Sequence, residues 1–156
     1  METFAELMRA YEHSGLGIAA RSTTWVYPLA NLVHVLGAAL LVGAITVFDI
    51  QVLRRAGNLR TFARATLPIA IAGLVIQLAS GLILLSAEAS TVSQNAAFRF
   101  KMLMLLVGLI NVAIFHARFG RHLKADTPTD AARPLALISL TAWVLVLLAG
   151  RAIAYV

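Results

Sequence analysis

Four long apolar stretches, separated by short polar connections, dominate the hydropathy pattern of this 156-residue chain. They cover about residues 28–52, 66–86, 98–119 and 134–155, and each is near the roughly 20 residues that a helix needs to cross a bilayer. Short connections favour antiparallel neighbours. The pattern therefore predicts an all-α membrane protein, a four-transmembrane-helix antiparallel up-down bundle over residues 25–156.

Residues 1–24 precede the first span and have a different pattern. Phe4, Leu7, Met8 and Tyr11 follow the i, i+3, i+4, i+7 spacing of one helix face. The acidic residues of METFAELMRAYEH and the lack of a continuous apolar core argue against a signal peptide. We expect a short N-terminal amphipathic helix that lies in the membrane surface or, alternatively, packs on the end of the bundle.

Composition supports the membrane assignment and excludes several kinds of site. Hydrophobic residues make up 60% of the chain and charged residues 13%, whereas a soluble domain is about 45–50% apolar and about 25% charged. The absence of cysteine excludes disulfides, thiolate nucleophiles and sulfur-rich metal sites. The net charge is +6, but no segment outside the spans is long enough for a nucleic-acid recognition module. We expect the bilayer, and no nucleic acid, as a partner.

The basic residues are unevenly divided among the three connections. The first connection, RRAGNLRTFAR, and the third, RFGRHLKADTPTDAAR, each carry four Lys or Arg residues, whereas the second, AEASTVSQNAA, carries none. The positive-inside rule places the first and third connections in the cytoplasm. The predicted location is the bacterial cytoplasmic (inner) membrane, crossed several times, with both termini extracytoplasmic.

With this orientation, one layer of polar residues lies in the outer half of the bundle. His34 is six residues into the first span, about 9 Å deep at ~1.5 Å per residue. Lys101 opens the third span, Arg151 lies near the end of the fourth, and Asn31 shares the helix face of His34. Like charges repel in a low dielectric, so this layer predicts an anion or a ligand that a neutral imidazole binds.

A haem b matches the requirements of this outer layer. Its iron binds a neutral imidazole, and its propionates bind Arg or Lys. His34 would be an axial ligand, Lys101 a second axial ligand or a propionate partner, and Arg151 a propionate partner, with Asn31 orienting the imidazole. The structural alternatives are that Lys101 and Arg151 extend to the interface and that His34 makes an interhelical hydrogen bond.

A second polar layer is predicted near the inner surface. Asp49 lies there, close enough to pair with Arg54 or Arg118, together with His116, which is expected to face solvent or headgroups. Lys101, Gly108 and Asn111 fall on one stripe that faces the bundle interior. The apolar spans contain several glycines, which allow close helix packing or leave room for a flat cofactor. These glycines are Gly37, Gly43, Gly73, Gly81, Gly108 and Gly150.

Three segments resemble a bacterial inner-membrane family that is known chiefly as a domain of unknown function. They are WVYPLANLVHVLGAALLVGAITVFD (25–49), NAAFRFK (95–101) and SLTAWVLVLLAGRAIAY (139–155). The resemblance covers nearly all of residues 25–155, and GRAIAY is its most specific stretch. It implies a membrane domain and no particular activity.

The helix layout also resembles two better known classes. In HemJ-type protoporphyrinogen oxidases, which bind haem b, a His early in the first span and a Lys opening the third are essential; His34 and Lys101 stand at those places. FDIQVLRR replaces the basic-aromatic segment that closes the first HemJ helix. The first span, with HVLG, also resembles CopD-type copper-resistance domains, although the chain has no Met or His cluster.

The leading functional prediction is a haem-binding electron-transfer component whose partner is a quinone or an extracytoplasmic redox protein. If it is an enzyme, it would be a haem-dependent membrane oxidoreductase. One alternative is a cofactor-free membrane anchor or accessory subunit, which binds a partner membrane subunit or forms a homo-oligomer. The other is a CopD-like component of metal homeostasis or transport.

Overall fold

The computed structural model describes residues 2–55, 57–125 and 130–155, and every element in these ranges is helical. In chain order the helices are α1 (Glu2–Glu12), α2 (Gly15–Ser22), α3 (Val26–Leu53), α4 (Leu59–Ala87), α5 (Ala89–Val92), α6 (Ala96–Ala125) and α7 (Arg133–Ala152), with a 3-10 turn at Asp130–Ala132. Within the described residues, α3, α4, α6 and the segment containing α7 are long and apolar enough to cross a membrane. The predicted fold class is confirmed.

The helices extend beyond the apolar spans at one end of the bundle. There, α4 begins at Leu59 rather than near residue 66, and α6 continues to Ala125 rather than ending near residue 119. Arginine favours helix and reaches water through its long side chain, so the basic residues at this end prolong the helices. We call this the basic end, and the opposite one, which carries α1, α2 and α5, the terminal end.

The closest helix contact joins α3 and α4. A Cβ atom on Gly73 would lie 2.5 Å from the backbone nitrogen of Leu41, and one on Gly37 would lie 2.7 Å from Cγ2 of Ile76. Neither position has room for a side chain, so the two backbones are in direct contact, as small residues permit in membranes.

The other helices complete a bundle that is open on one side. α6 packs on α7 and α7 packs on α3, whereas α4 and α6 meet only sparsely. Trp143 of α7 is buried, and its indole faces Gly108 of α6, where a Cβ atom would be 3.3 Å from the ring. We call the sparsely packed side the α4–α6 seam.

The N-terminal segment forms two helices that are attached to the terminal end. The Tyr11 hydroxyl donates to the carbonyl of Leu82 at 2.9 Å, and Arg21 Nη1 donates to the carbonyl of Ala87 at 2.9 Å. Ser14 caps α2 through its side-chain oxygen, which accepts from Gly17 N at 3.3 Å. These contacts favour packing on the bundle end over a free interfacial helix.

We predict that Gly73→Ala destabilises the bundle, because its methyl group would meet the backbone of α3 rather than a movable side chain. Overpacking of this kind typically costs about 1–3 kcal/mol. Thermal unfolding in detergent measures the change. Gly43→Ala is the matched control, because Gly43 is exposed on α3 and a Cβ atom there would have no neighbour within 4 Å. Equal stability of the two variants would contradict the prediction.

Glu12 makes the attachment of α1 dependent on pH. Its carboxylate accepts hydrogen bonds from the hydroxyl and from the backbone N–H of Ser90, the latter at 2.9 Å. The hydroxyl contributes most to holding the pKa of Glu12 below its ordinary value of 4.5. A lowered folded-state pKa stabilises the folded form above the ordinary value, and this contribution is lost as pH falls through the lowered pKa.

We therefore predict that Glu12→Gln accelerates amide hydrogen exchange in residues 2–22 at neutral pH, and that its difference from the parent protein shrinks below pH 4.5. Hydrogen exchange followed by mass spectrometry, corrected for intrinsic rates, measures this. Glu6→Gln is the control, since Glu6 is exposed on the same helix. A Glu12→Gln effect of the same size at both pH values would refute the assignment.

Candidate functional site

The hydrogen bond between His34 and Ser80 defines the candidate site. His34 lies on α3 and Ser80 on α4, with His34 Nδ1 2.9 Å from Ser80 Oγ. Ser80 Oγ also lies 2.6 Å from the carbonyl oxygen of Ile76. A hydroxyl has one proton to donate, and a carbonyl can only accept, so Ser80 donates to Ile76 and accepts from His34. In the neutral imidazole this bond places the proton on Nδ1 and leaves a lone pair on Nε2.

Two further residues of α4 hold His34 in place. Gln77 Nε2 donates to the backbone carbonyl of His34 at 2.7 Å, which fixes α3 against α4 at this level. Gly81 gives the ring space, because a Cβ atom there would lie 3.2 Å from His34 Cε1. Backbone and imidazole of His34 are therefore both positioned by the same face of α4.

Lys101 lies in the same region, on α6. Its side chain is half-buried against Gly150 of α7, where a Cβ atom would be 3.5 Å from Nζ. The ammonium group is close enough to His34 to interact with it electrostatically. Within the described residues Lys101 makes no hydrogen bond or ion pair. His34 and Lys101 therefore lie in one region of the bundle, and the part predicted for them in cofactor binding stays a prediction.

Within the described residues, Arg151 and Asn31 make no hydrogen bond with His34 or Lys101. Arg151 is exposed; its guanidinium stacks over the Tyr155 ring, with Cζ 4.7 Å from the centroid, and Nη2 donates to the Tyr155 hydroxyl. Asn31 is exposed, and the acceptor that orients the His34 imidazole is Ser80 Oγ instead. The parts predicted for Arg151 and Asn31 in cofactor binding stay predictions.

In the second polar layer, the contacts of Asp49 differ from those predicted. Asp49 is buried, with only 4% of its surface exposed, and its carboxyl is hydrogen-bonded by Ser139 of α7. The predicted ion pair of Asp49 with Arg54 or Arg118 is wrong: none of the described residues forms an ion pair with Asp49, whereas Arg55 pairs with Asp130 at 2.6 Å. Asp49 faces the bundle interior, whereas Arg54 and Arg118 are exposed.

Sequence reasoning missed Gln77 and Ser80 as partners of His34, although a signal was available. Both are polar residues within an apolar span, and their i, i+3 spacing puts them on one face of α4. Such a pair in a membrane helix must face a polar partner, and His34 is the polar residue at the corresponding depth of α3.

Together the four membrane-crossing helices define a multi-pass integral membrane protein. The chain matches no family model, no curated protein and no solved structure. Within the described part of the chain, no three His, Cys, Asp or Glu residues cluster as a metal-binding group. His34 and the residues around it therefore form the candidate functional site.

Proposed function

We propose that this membrane protein binds haem b through His34, in the half of the bundle nearer the terminal end, and acts as an electron-transfer component. The observation that carries the proposal is the hydrogen bond from His34 Nδ1 to Ser80. Haem iron binds the lone pair of a neutral imidazole, whose other nitrogen usually donates to a neighbouring acceptor. A neutral His34 whose Nδ1 donates to Ser80 would meet both conditions, which supports the proposal.

Lys101 supports the same assignment. Its half-buried ammonium has no anionic partner among the described residues, so a haem propionate would supply the missing counter-charge. A neutral Lys101 amine is the alternative second axial ligand. The resemblance to HemJ-type proteins implies the same two residues, and Gly81 and Gly150 let the His34 ring and the Lys101 side chain lie against the backbones of α4 and α7.

Bound haem would supply one-electron redox chemistry, and the chain would orient it and shield it from water. By the positive-inside rule, the basic end faces the cytoplasm and the terminal end the outside of a bacterial inner membrane. The haem would then exchange electrons with a quinone in the bilayer or with an extracytoplasmic redox partner. Arg151, exposed near the same end, would bind a propionate or the partner's surface.

The α4–α6 seam favours a second candidate, an accessory subunit without a cofactor. Leu103, Leu106 and Ile110 recur at helical spacing along α6 and are exposed. A helix of a partner subunit, or of a second copy, would cover the seam and this exposed face of α6, with His34 and Ser80 serving as an interhelical contact. A stoichiometric partner together with a colourless protein would favour this candidate over haem binding.

We predict that the protein, purified from cells with ample haem, shows a Soret band that His34→Ala abolishes. Removal of Nε2 takes away the iron ligand, whereas the α3–α4 contact through Gly37 and Gly73 keeps the fold. Absorption spectra of the oxidised and reduced proteins measure the effect. His13→Ala is the control, because His13 is exposed outside the spans.

Two outcomes would count against haem binding by His34. A parent protein without a Soret band would remove the proposal as a whole. A His34→Ala protein with the full haem content of the His13→Ala control would show that the ligand lies elsewhere.

We predict that Ser80→Ala retains haem but binds it about 10–100-fold more weakly, the range typical for loss of a hydrogen-bond partner of a metal-ligating histidine. The acceptor that orients the imidazole is lost, while the ligand itself remains. Haem titration of the apoprotein measures the affinity. Ser22→Ala is the control, because Ser22 is exposed at the end of α2. Unchanged affinity in Ser80→Ala would show that this hydrogen bond does not prepare the ligand.

A further inference from the structure

A small cavity lies between the four membrane-crossing helices on the side of the basic end. Its volume is about 50 Å³, and a water molecule needs roughly 10–15 Å³ of such space together with polar partners. The polar residues that line it are Asp49 of α3, Asn111 and His116 of α6, and Ser139 of α7. The cavity therefore has both the room and the polar lining that water requires.

Asp49 lines this cavity, and one oxygen of its carboxyl group is buried without a hydrogen-bond partner among the described residues. Ser139 is the hydrogen-bond partner of its carboxyl, but within the described residues Oδ2 is buried and has no partner. An ionised carboxylate in such a place loses the hydration of both oxygens and is costly unless it is paired. Protonation removes that cost. It also gives the carboxyl group one O–H donor, whose hydrogen bond a water molecule in the cavity can accept.

The charged groups around Asp49 do not neutralise it. Its own helix carries Arg54, and the helices packed around it carry Arg64 on α4, His116 and Arg118 on α6, and Arg133 on α7. All five side chains are exposed, and no ion pair joins any described residue to Asp49. His116 is the titratable neighbour that shares the cavity with Asp49.

We propose that Asp49 is a proton-binding site, which exchanges its proton with the aqueous phase at the basic end through water in this cavity. A proton arriving from water forms an O–H bond on the Asp49 carboxyl group, and the same bond breaks on release; no electron is transferred. His116 is exposed and lies nearer the basic end of α6 than Asn111, so it stands at the entrance. The proposal is independent of haem binding.

A proton suits the site better than a metal cation. Hard cations bind several oxygen ligands, and among the described residues that line the cavity the side-chain oxygens come from Asp49, Asn111 and Ser139. Asn111 is further constrained, because its Nδ2 donates to the carbonyl of Leu135 at 3.0 Å. Membrane-buried carboxyls reached by water are typical of proton relays.

Infrared spectroscopy of the protein in sodium-free lipid vesicles tests the proposal. We expect the carbonyl band of a protonated carboxyl at neutral pH, which shrinks as pH rises while a carboxylate band grows by the same amount. Asp49→Asn should lose this band completely. Asp130→Asn should keep it, because Asp130 is exposed and paired with Arg55.

Ser139→Ala gives a second test that leaves the carboxyl in place. Loss of the Ser139 hydroxyl should shift the same band to higher frequency, because the carbonyl oxygen then accepts one hydrogen bond fewer. A parent protein without a titratable band, or a band unchanged in both Asp49→Asn and Ser139→Ala, overturns the proposal. A carboxylate band that sodium shifts at constant pH, in the parent but not in Asp49→Asn, also overturns it and assigns a cation site.

Discussion

Polar side chains inside a bilayer must find their hydrogen-bond partners within the protein, because the hydrocarbon offers none. In this bundle the partners lie on neighbouring helices. His34 of α3 bonds Ser80 of α4, and Gln77 of α4 bonds the backbone of His34. Asn111 of α6 bonds the backbone at the start of α7. The same bonds therefore set which helix faces pair and which polar atoms remain available for a ligand.

The direct contact of α3 and α4 connects this constraint to the candidate site. Gly37 and Gly73 let the two backbones touch, and only at this separation do the short side chain of Ser80 and the amide of Gln77 reach His34. α6 packs mainly on α7 and only sparsely on α4. It nevertheless carries Lys101 in the same layer as His34. One helix pair thus fixes the proposed ligand, and the other supplies the cation beside it.

The sequence predicts the depth of a polar side chain in the bundle better than it predicts which neighbouring residue that side chain contacts. The apolar spans and the basic connections place His34 and Lys101 at one level and Asp49 and His116 at another. In the structure the first two interact electrostatically, and the other two line one cavity. The observed partners of His34 and Asp49 differ from the predicted ones, because the sequence of a nearly uniformly apolar helix carries little information about how the helix is rotated about its axis. Depth alone does not distinguish Asn31 from Ser80 as the neighbour of His34. The sequence also predicts an arginine partner for Asp49, but long basic side chains at helix ends reach water, while the short Asp49 side chain stays inside.

Haem binding as proposed requires that Ser80 hold a neutral His34 with its proton on Nδ1 and a lone pair on Nε2. Solid-state nitrogen NMR of histidine-labelled protein in bilayers, before haem is added, tests this most directly; the His34 signals are those lost in His34→Ala. We expect a protonated Nδ1 and an unprotonated Nε2. A proton on Nε2, with Nδ1 unprotonated, would contradict this arrangement, because the nitrogen offered to iron would then already carry hydrogen.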